Sequence, residues 1–156
     1  MFGVSIGLLH NGQPIAGVLY FPALDLLVQA SDGQGAFANS KKVSVSARPL
    51  QQSLYFAGGK YNGQQQINHP LADHVGMIEI FNATSYELAK IAMGDAEIYY
   101  LINSLHDLAA GICIITEAGG RVTDQDGKPW GPDSNMVLIT NGVAHDEALA
   151  LLKSGV

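Results

Sequence analysis

The sequence predicts an α/β protein: an antiparallel strand meander followed by a lobe of mixed sheet and helices. In residues 1–50, short apolar runs are separated by turn residues at intervals that leave little room for a helix. From residue 51 onward, such runs alternate with segments whose apolar residues recur at helical spacing, which is typical of layered α/β proteins. We therefore predict two units, residues 1–50 and 51–156.

The first unit is predicted to consist of strands joined by tight turns. Asn11-Gly12 favours a hairpin turn between strands at residues 4–9 and 14–21. Turns at residues 22–25 and 31–33 flank a third strand at 26–30. Residues 35–39 then lead into a last strand at 42–46.

The second unit is predicted to contain both strands and helices. Strands are expected at residues 54–57, 77–81, 96–102, 121–123 and 136–140. Helices are expected at residues 71–75, 84–93, 107–117 and 146–152, with a mobile polar loop at 60–70. Because the helix at 107–117 is apolar almost all round, we expect it to lie buried between layers.

Charge and cysteine content exclude several classes of protein. Eight Lys and Arg against fourteen Asp and Glu give a net charge of −6, which argues against nucleic-acid and anionic-membrane partners. No apolar run reaches the roughly 18–20 residues of a membrane span, and the first residues lack the basic segment of a signal peptide. Cys113 is the only cysteine, which fits a reducing compartment, so a cytoplasmic location is predicted.

The composition predicts either that another chain covers part of the surface or that the protein is poorly soluble by itself. Charged residues make up 14% of the sequence and apolar residues 47%, whereas an average soluble domain has about 25% charged residues. We therefore expect a homo-oligomer, most simply a dimer, that buries the strands of the first unit.

Most side chains that could act as nucleophiles or metal ligands have simpler interpretations. Cys113 lies among isoleucines and is predicted to be a buried, inert thiol. The histidines lack metal-ligand spacing and are predicted to lie on the surface; those considered are His10, His69, His74 and His145. Residues 124–127 are predicted to form a turn. No nucleophile elbow, P-loop or dinucleotide fingerprint is present.

Asp107 begins the apolar helix and has two interpretations. As a cap, its carboxylate would accept hydrogen bonds from free N–H groups at the positive end of the helix. As a metal ligand, it would offer the oxygen that Mg²⁺ prefers, beside a helix terminus suited to phosphate. A single carboxylate is too little for a tight Mg²⁺ site.

Several motifs together resemble the inositol monophosphatase family. HDLAAG at residues 106–111, followed by EAGG at 117–120, resembles the family signature Trp-Asp-x-Ala-Ala-Gly…Glu-Ala-Gly-Gly. GQPIAGVLYFP at residues 12–22 and ASDGQGAFAN at 30–39 are similar to two further family segments. The resemblance implies part of a layered α-β-α-β-α sugar-phosphatase fold. It also implies Mg²⁺-dependent, lithium-sensitive phosphatase chemistry, with Asp107 as a metal ligand and Asn82, Ala83 and Thr84 near the substrate.

The resemblance also identifies what the sequence lacks. In the family, a helix glutamate and an Asp-Pro-x-Asp-Gly-Thr motif gather the metals, and both lie upstream of the position that corresponds to Met1; no such motif occurs here. We therefore expect a truncated homologue that, as an isolated chain, has no phosphatase activity and no cofactor, and serves a binding or structural role. The alternative is an Mg²⁺-dependent phosphomonoesterase acting on a sugar, inositol or nucleotide phosphate, completed by a separate N-terminal half.

Other departures concern the residues around the site. His106 replaces the signature tryptophan, and the hydroxyl of Thr84 is shifted by one residue from its family position. Leu101 stands where inositol-specific members carry a glutamate. Because leucine cannot accept hydrogen bonds from ring hydroxyls, this position argues against inositol specificity.

Overall fold

Residues 4–43 form the antiparallel sheet that the turn pattern predicts. The computed structural model describes residues 2–57, 60–61, 64–65 and 70–154. The first sheet has the order β1-β2-β3-β4-β5, and its strands are β1 (Val4–His10), β2 (Gln13–Phe21), β3 (Leu26–Ser31), β4 (Gly35–Ala38) and β5 (Lys41–Val43). Asn11 and Gly12 both adopt positive φ angles, 51° and 77°, as a tight hairpin turn of the predicted kind requires.

The second sheet is mixed and, within the described residues, is accompanied by three α-helices. Its strands are β6 (Leu54–Ala57), β9 (Met77–Glu79), β10 (Ile98–Ile102), β11 (Arg121–Asp124) and β12 (Met136–Thr140), and a separate pair consists of β7 (Lys60–Tyr61) and β8 (Gln64–Gln65). The order is β11-β12-β10-β6-β9, with β6 parallel to both of its neighbours. The helices are α1 (Thr84–Ala92), α2 (Leu105–Glu117) and α3 (His145–Ser154). Within the described residues, no helix is long and apolar enough to cross a membrane.

Several predicted elements differ from the structure. The helix expected at residues 71–75 is a turn, in which the His74 N–H donates to the Leu71 carbonyl. The last strand of the first sheet ends at Val43, because the Val45 N–H donates to the Ala118 carbonyl at the end of α2 instead of to a strand. β9 ends at Glu79, short of residue 81. The loop predicted at residues 60–70 contains β7 and β8, and its other residues up to 69 lie outside the described part.

Helix α2 packs between the first sheet and α1, as its apolar sequence predicts. All residues from Leu108 to Ile115 are buried. A Cβ atom on Gly17 would lie 2.2 Å from the Ala110 carbonyl oxygen, and one on Gly111 would lie 2.3 Å from Leu88 Cδ1. Both distances are below van der Waals contact, so glycine at these two positions allows α2 to approach β2 and α1 closely. The division into units at residue 50 stays a prediction.

Candidate functional site

A cleft of about 290 Å³ opens where the first turns of α1 and α2 face the start of β1. Four residues singled out from the sequence line it together: Asn82, Ala83, Thr84 and Asp107. The remaining lining residues are Phe2, Gly3, Phe21, Ser85 and Tyr86. The fold therefore brings the segment before α1 next to the first turn of α2, although some twenty residues separate them in the sequence.

The α1 side of the cleft presents free backbone N–H groups. Asn82 has a φ of 54°, a left-handed conformation that asparagine tolerates better than most residues and that glycine adopts freely. Ala83 is the N-cap and makes no side-chain capping bond. In the first turn of an α-helix the N–H groups lack intrahelical partners, so those of Thr84 and Ser85 are available to a ligand in the cleft.

The buried carboxyl group of Glu87 bonds to the backbone immediately before Asn82. Glu87 is fully buried, and its Oε1 accepts a hydrogen bond from the Phe81 N–H at 3.3 Å. The Tyr99 hydroxyl, near this carboxyl group, lies 3.4 Å from Thr84 Oγ1. Burial raises the pKa of Glu87 above its usual value. The sequence interpretation missed Glu87; the available signal was an acidic residue between the apolar positions Tyr86 and Leu88.

Asp107 lies in the first turn of α2, as predicted, but the described contacts do not make it the cap. The helix begins at Leu105, with Ser104 as the N-cap, so Asp107 is the third helical residue. Its exposed carboxylate accepts a hydrogen bond from Ser104 Oγ, at 2.6 Å between Oγ and Oδ2. The capping interpretation is therefore wrong, because the helix starts two residues earlier than expected and the side chain reaches back to a hydroxyl group.

The cleft alone does not form a complete site for Mg²⁺. Among the lining residues that the structure describes, Asp107 is the only carboxylate, and none is a lysine, arginine or histidine. Among the residues that the structure describes, no group of three or more His, Cys, Asp or Glu side chains could hold a metal ion. Since Mg²⁺ in proteins is coordinated octahedrally by carboxylates, water and substrate oxygens, the described residues supply at most one charged ligand.

The other titratable candidates lie outside the cleft. Cys113 is buried, as predicted, and burial raises the pKa of its thiol to about 11, which disfavours the reactive thiolate. His10 and His74 are exposed, as predicted, and His69 lies outside the described residues. The predicted turn at residues 124–127 is confirmed, since Asp124 Oδ1 accepts from the Asp126 N–H at 2.9 Å.

The prediction for His145 is wrong, because this side chain is fully buried. Its Nδ1 lies 2.9 Å from Thr140 Oγ1 and its Nε2 lies 3.1 Å from Thr123 Oγ1. His145 opens α3, and the ring enters the space between this helix and strands β11 and β12. Burial, followed by the positive charge of Arg121, lowers the pKa of His145 to about 4.

Comparison with known proteins agrees with the fold and the motifs. The model of the inositol monophosphatase family matches residues 1–155, so the chain belongs to this family. A "Fructose-1,6-bisphosphatase/inositol-1-monophosphatase" of Thermotoga maritima is 29% identical over 154 residues, which are 97% of this chain and 60% of that protein. An "Inositol-1-monophosphatase" of Synechocystis is 33% identical over 153 residues, 92% of this chain and 53% of that protein.

Solved structures show the same relationship in three dimensions. The inositol monophosphatase of Anabaena (Nostoc) superposes with a TM-score of 0.89 at 32% sequence identity, covering 99% of this chain and 66% of that chain. A Thermotoga maritima IMPase superposes with a TM-score of 0.89 at 27% identity and 61% coverage of that chain. This chain thus spans about 60% of the length of relatives such as the Thermotoga maritima protein.

Proposed function

We propose that the chain carries the C-terminal half of a phosphomonoesterase site, and that the 156 residues alone do not hydrolyse phosphate esters. The observation that carries this proposal is the charge of the cleft, where Asp107 is the only charged side chain among the described lining residues. A phosphate dianion beside an unneutralised carboxylate is repelled, since like charges in a partly desolvated site interact strongly. Stabilising the charge that develops during phosphoryl transfer requires cations, which are worth several kcal/mol.

In the completed enzyme, the residues of this chain would bind and orient the substrate. The N–H groups of Thr84 and Ser85, at the positive end of α1, would donate to phosphate or hydroxyl oxygens, and Asn82 and Ala83 would shape the approach. Mg²⁺ is the cofactor that the family resemblance implies, with Asp107 contributing one carboxylate. The substrate class is a sugar, inositol or nucleotide phosphate, and Leu101 argues against strict inositol specificity.

The isolated chain would accordingly have a binding or structural role and need no cofactor. The cleft supports a binding role, because a ligand can occupy it and accept hydrogen bonds from its free N–H groups without any reaction taking place. We also propose a cytoplasmic location, for which the support is the lone, buried thiol of Cys113.

The test of the proposed function is a comparison of two polypeptides in one phosphatase assay. One is the 156-residue chain; the other is this chain fused behind the part of the Thermotoga maritima relative that it does not span. With Mg²⁺ and an aryl or inositol phosphate, we expect background hydrolysis from the first and turnover from the second. Asp107→Asn should abolish the activity of the fusion, whereas Asp133→Asn, the same change at an exposed position outside the cleft, should preserve it.

Two results would contradict the proposal. Turnover by the isolated chain within tenfold of a typical enzyme, about 10 s⁻¹, that Asp107→Asn abolishes would show a site complete in itself. A folded fusion without Mg²⁺-dependent hydrolysis would show that the chain no longer supports the reaction.

We further propose that the isolated chain forms a homo-oligomer, most simply a dimer. One face of the first sheet, which we term the outer face, carries the exposed apolar side chains Val4, Ile6, Leu8 and Tyr20. Ile6 and Leu8 are 61% and 57% exposed, and β1 is an edge strand. Contiguous apolar patches on a sheet edge are rarely left in water, so a second copy that buries at least about 1,200 Å² would stabilise this face.

Light scattering at micromolar protein concentration measures the predicted dimer. Ile6→Lys together with Leu8→Lys is expected to give monomers, because two ammonium groups cannot be buried at the interface. Val143→Lys is the matched control, since Val143 is 58% exposed but lies on the turn before α3. A monomeric, soluble wild-type chain, or a dimer unaffected by the double substitution, would exclude this interface.

A further inference from the structure

Ser104 contacts Asp107 through both its backbone and its side chain. The Ser104 carbonyl accepts hydrogen bonds from the N–H groups of Asp107, at 3.0 Å, and Leu108, at 2.9 Å. Its hydroxyl group donates to Asp107 Oδ2 at 2.6 Å. A serine at the N-cap usually accepts a bond from a backbone N–H of the first turn, but Ser104 makes no such bond. Its side chain is therefore engaged with the carboxylate.

The residue before Ser104 is fixed to another part of the fold. Asn103 donates from its backbone N–H to the Asn135 carbonyl and from Nδ2 to the Pro132 carbonyl, both at 2.8 Å. Its Oδ1 accepts a hydrogen bond from Nε1 of the buried Trp130 at 3.0 Å. Three hydrogen bonds thus anchor the backbone that presents the Ser104 hydroxyl, so this donor has a defined position relative to α2.

The orientation of the Asp107 carboxylate depends on the Ser104 hydroxyl group, because few other groups restrict the Asp107 side chain. Asp107 and its neighbour His106 are exposed, so packing does not select one rotamer, and an exposed side chain otherwise samples several. A hydrogen bond from a hydroxyl group to a carboxylate is short and strong. It occupies Oδ2 and leaves Oδ1 without a hydrogen-bond donor among the described residues.

We propose that Ser104 is a positioning residue that holds the Asp107 carboxylate in one orientation at the cleft. The proposal rests on the proposed function insofar as Asp107 acts in the reaction. In this chain, where the signature tryptophan is replaced by the exposed His106, the anchored hydroxyl group of Ser104 supplies the constraint. Ser104 itself does not line the cleft, and it acts through Asp107.

Three substitutions separate positioning from helix capping. Ser104→Ala removes the donor, and Ser104→Thr keeps it. Ser104→Asp preserves an excellent N-cap but cannot donate when ionised and repels Asp107. The readout is the Asp107 χ1 angle, obtained from NMR scalar couplings in the isolated chain. We expect one rotamer in the wild type and in Ser104→Thr, and rotamer averaging in Ser104→Ala and Ser104→Asp.

The fusion used to test the proposed function gives a second readout. Loss of a hydrogen-bond partner to a functional carboxylate typically lowers activity about 10–100-fold, so kcat should fall by this factor in Ser104→Ala and recover in Ser104→Thr, with little change in KM. An unaltered Asp107 rotamer in Ser104→Ala, or wild-type behaviour of Ser104→Asp, would overturn the positioning role. If the wild-type fusion is inactive, the proposed function fails, and the NMR measurement still decides the role of Ser104.

Discussion

Replacing Glu97 by alanine is expected to lower the free energy of unfolding by about 2–3 kcal/mol, because several hydrogen-bond donors lose a buried, charged acceptor, while the half-exposed Arg48 stays solvated. The Glu97 side chain is fully buried and pairs with Arg48, at 2.6 Å between Oε1 and Nη2. Oε1 also accepts from Ser46 Oγ at 2.7 Å, and Oε2 accepts from the Leu54 N–H at 2.6 Å. Removing the carboxylate leaves these donors without their acceptor, and an unsatisfied buried donor is costly.

The effect is expected to be large because Glu97 organises the connection between the two sheets. Residues 44–53 lead from β5 to β6, and Ser46 and Arg48 lie within them. Asn141, after β12, donates from Nδ2 to Ser46 Oγ at 3.2 Å and to the Arg48 carbonyl at 2.8 Å. The same segment is thus bonded to residues next to two strands of the second sheet, β10 and β12, and loss of Glu97 weakens these contacts together.

Urea unfolding at neutral pH measures this effect. Asp95→Ala is the matched control, because the Asp95 carboxylate pairs with Lys90 but is half-exposed, and exposed pairs contribute about 0–1 kcal/mol. Glu97→Gln retains an acceptor oxygen and should be less destabilising than Glu97→Ala. If Glu97→Ala costs no more than Asp95→Ala, the buried network does not stabilise the connection.

The features of the fold that could be predicted are those determined by short stretches of sequence. The Asn11-Gly12 turn fixes the first hairpin through backbone conformation alone, and the absence of a polar face on α2 predicts its burial between layers. Predictions failed where a backbone group bonds to a distant element, as when the Val45 N–H donates to the Ala118 carbonyl. No pattern within residues 42–46 could reveal that partner.

The candidate site was predictable through motifs but not through geometry. Asn82 and Asp107 were identified by similarity to family segments, while their common cleft depends on the packing of α1 against α2. Ser104 was missed because its role follows from the exact start of α2, two residues before the predicted start. His145 was misassigned because its polar neighbours are typical of an exposed helix start, and its burial depends on β11 and β12.

Lowering the pH from about 6.5 to about 4 is expected to remove about 3 kcal/mol of stability through His145 alone. Its two hydrogen bonds are satisfied by the neutral ring. Thr123 Oγ1 donates to the Asp124 carbonyl and Thr140 Oγ1 accepts from the Gly142 N–H. Consequently Thr140 donates to Nδ1, and Nε2 carries the proton and donates to Thr123. A second proton, on Nδ1, would point at the Thr140 hydroxyl group. The hydrogen bond that Thr140 donates to Nδ1 would then be lost.

The direction of the pH effect follows from proton binding. The pKa of His145 in the folded chain is about 4, below its usual value of 6.5, so between these pH values the unfolded state binds a proton that the folded state does not. The stabilisation is therefore complete above pH 6.5 and is lost as the pH falls to 4. Glu87, whose pKa is raised by burial, acts in the opposite sense, so a single pH profile does not isolate His145.

Urea unfolding from pH 8 to pH 4 of the wild type, His145→Gln and His74→Gln isolates the contribution of His145. His145→Gln should be less stable than the wild type at pH 8, because it loses the fitted hydrogen bonds, and this difference should shrink by about 3 kcal/mol toward pH 4. His74→Gln, at an exposed position, should follow the wild type at every pH. A constant difference between His145→Gln and the wild type would mean that the ring is protonated as readily in the folded as in the unfolded chain, contrary to its burial between the two threonine hydroxyl groups.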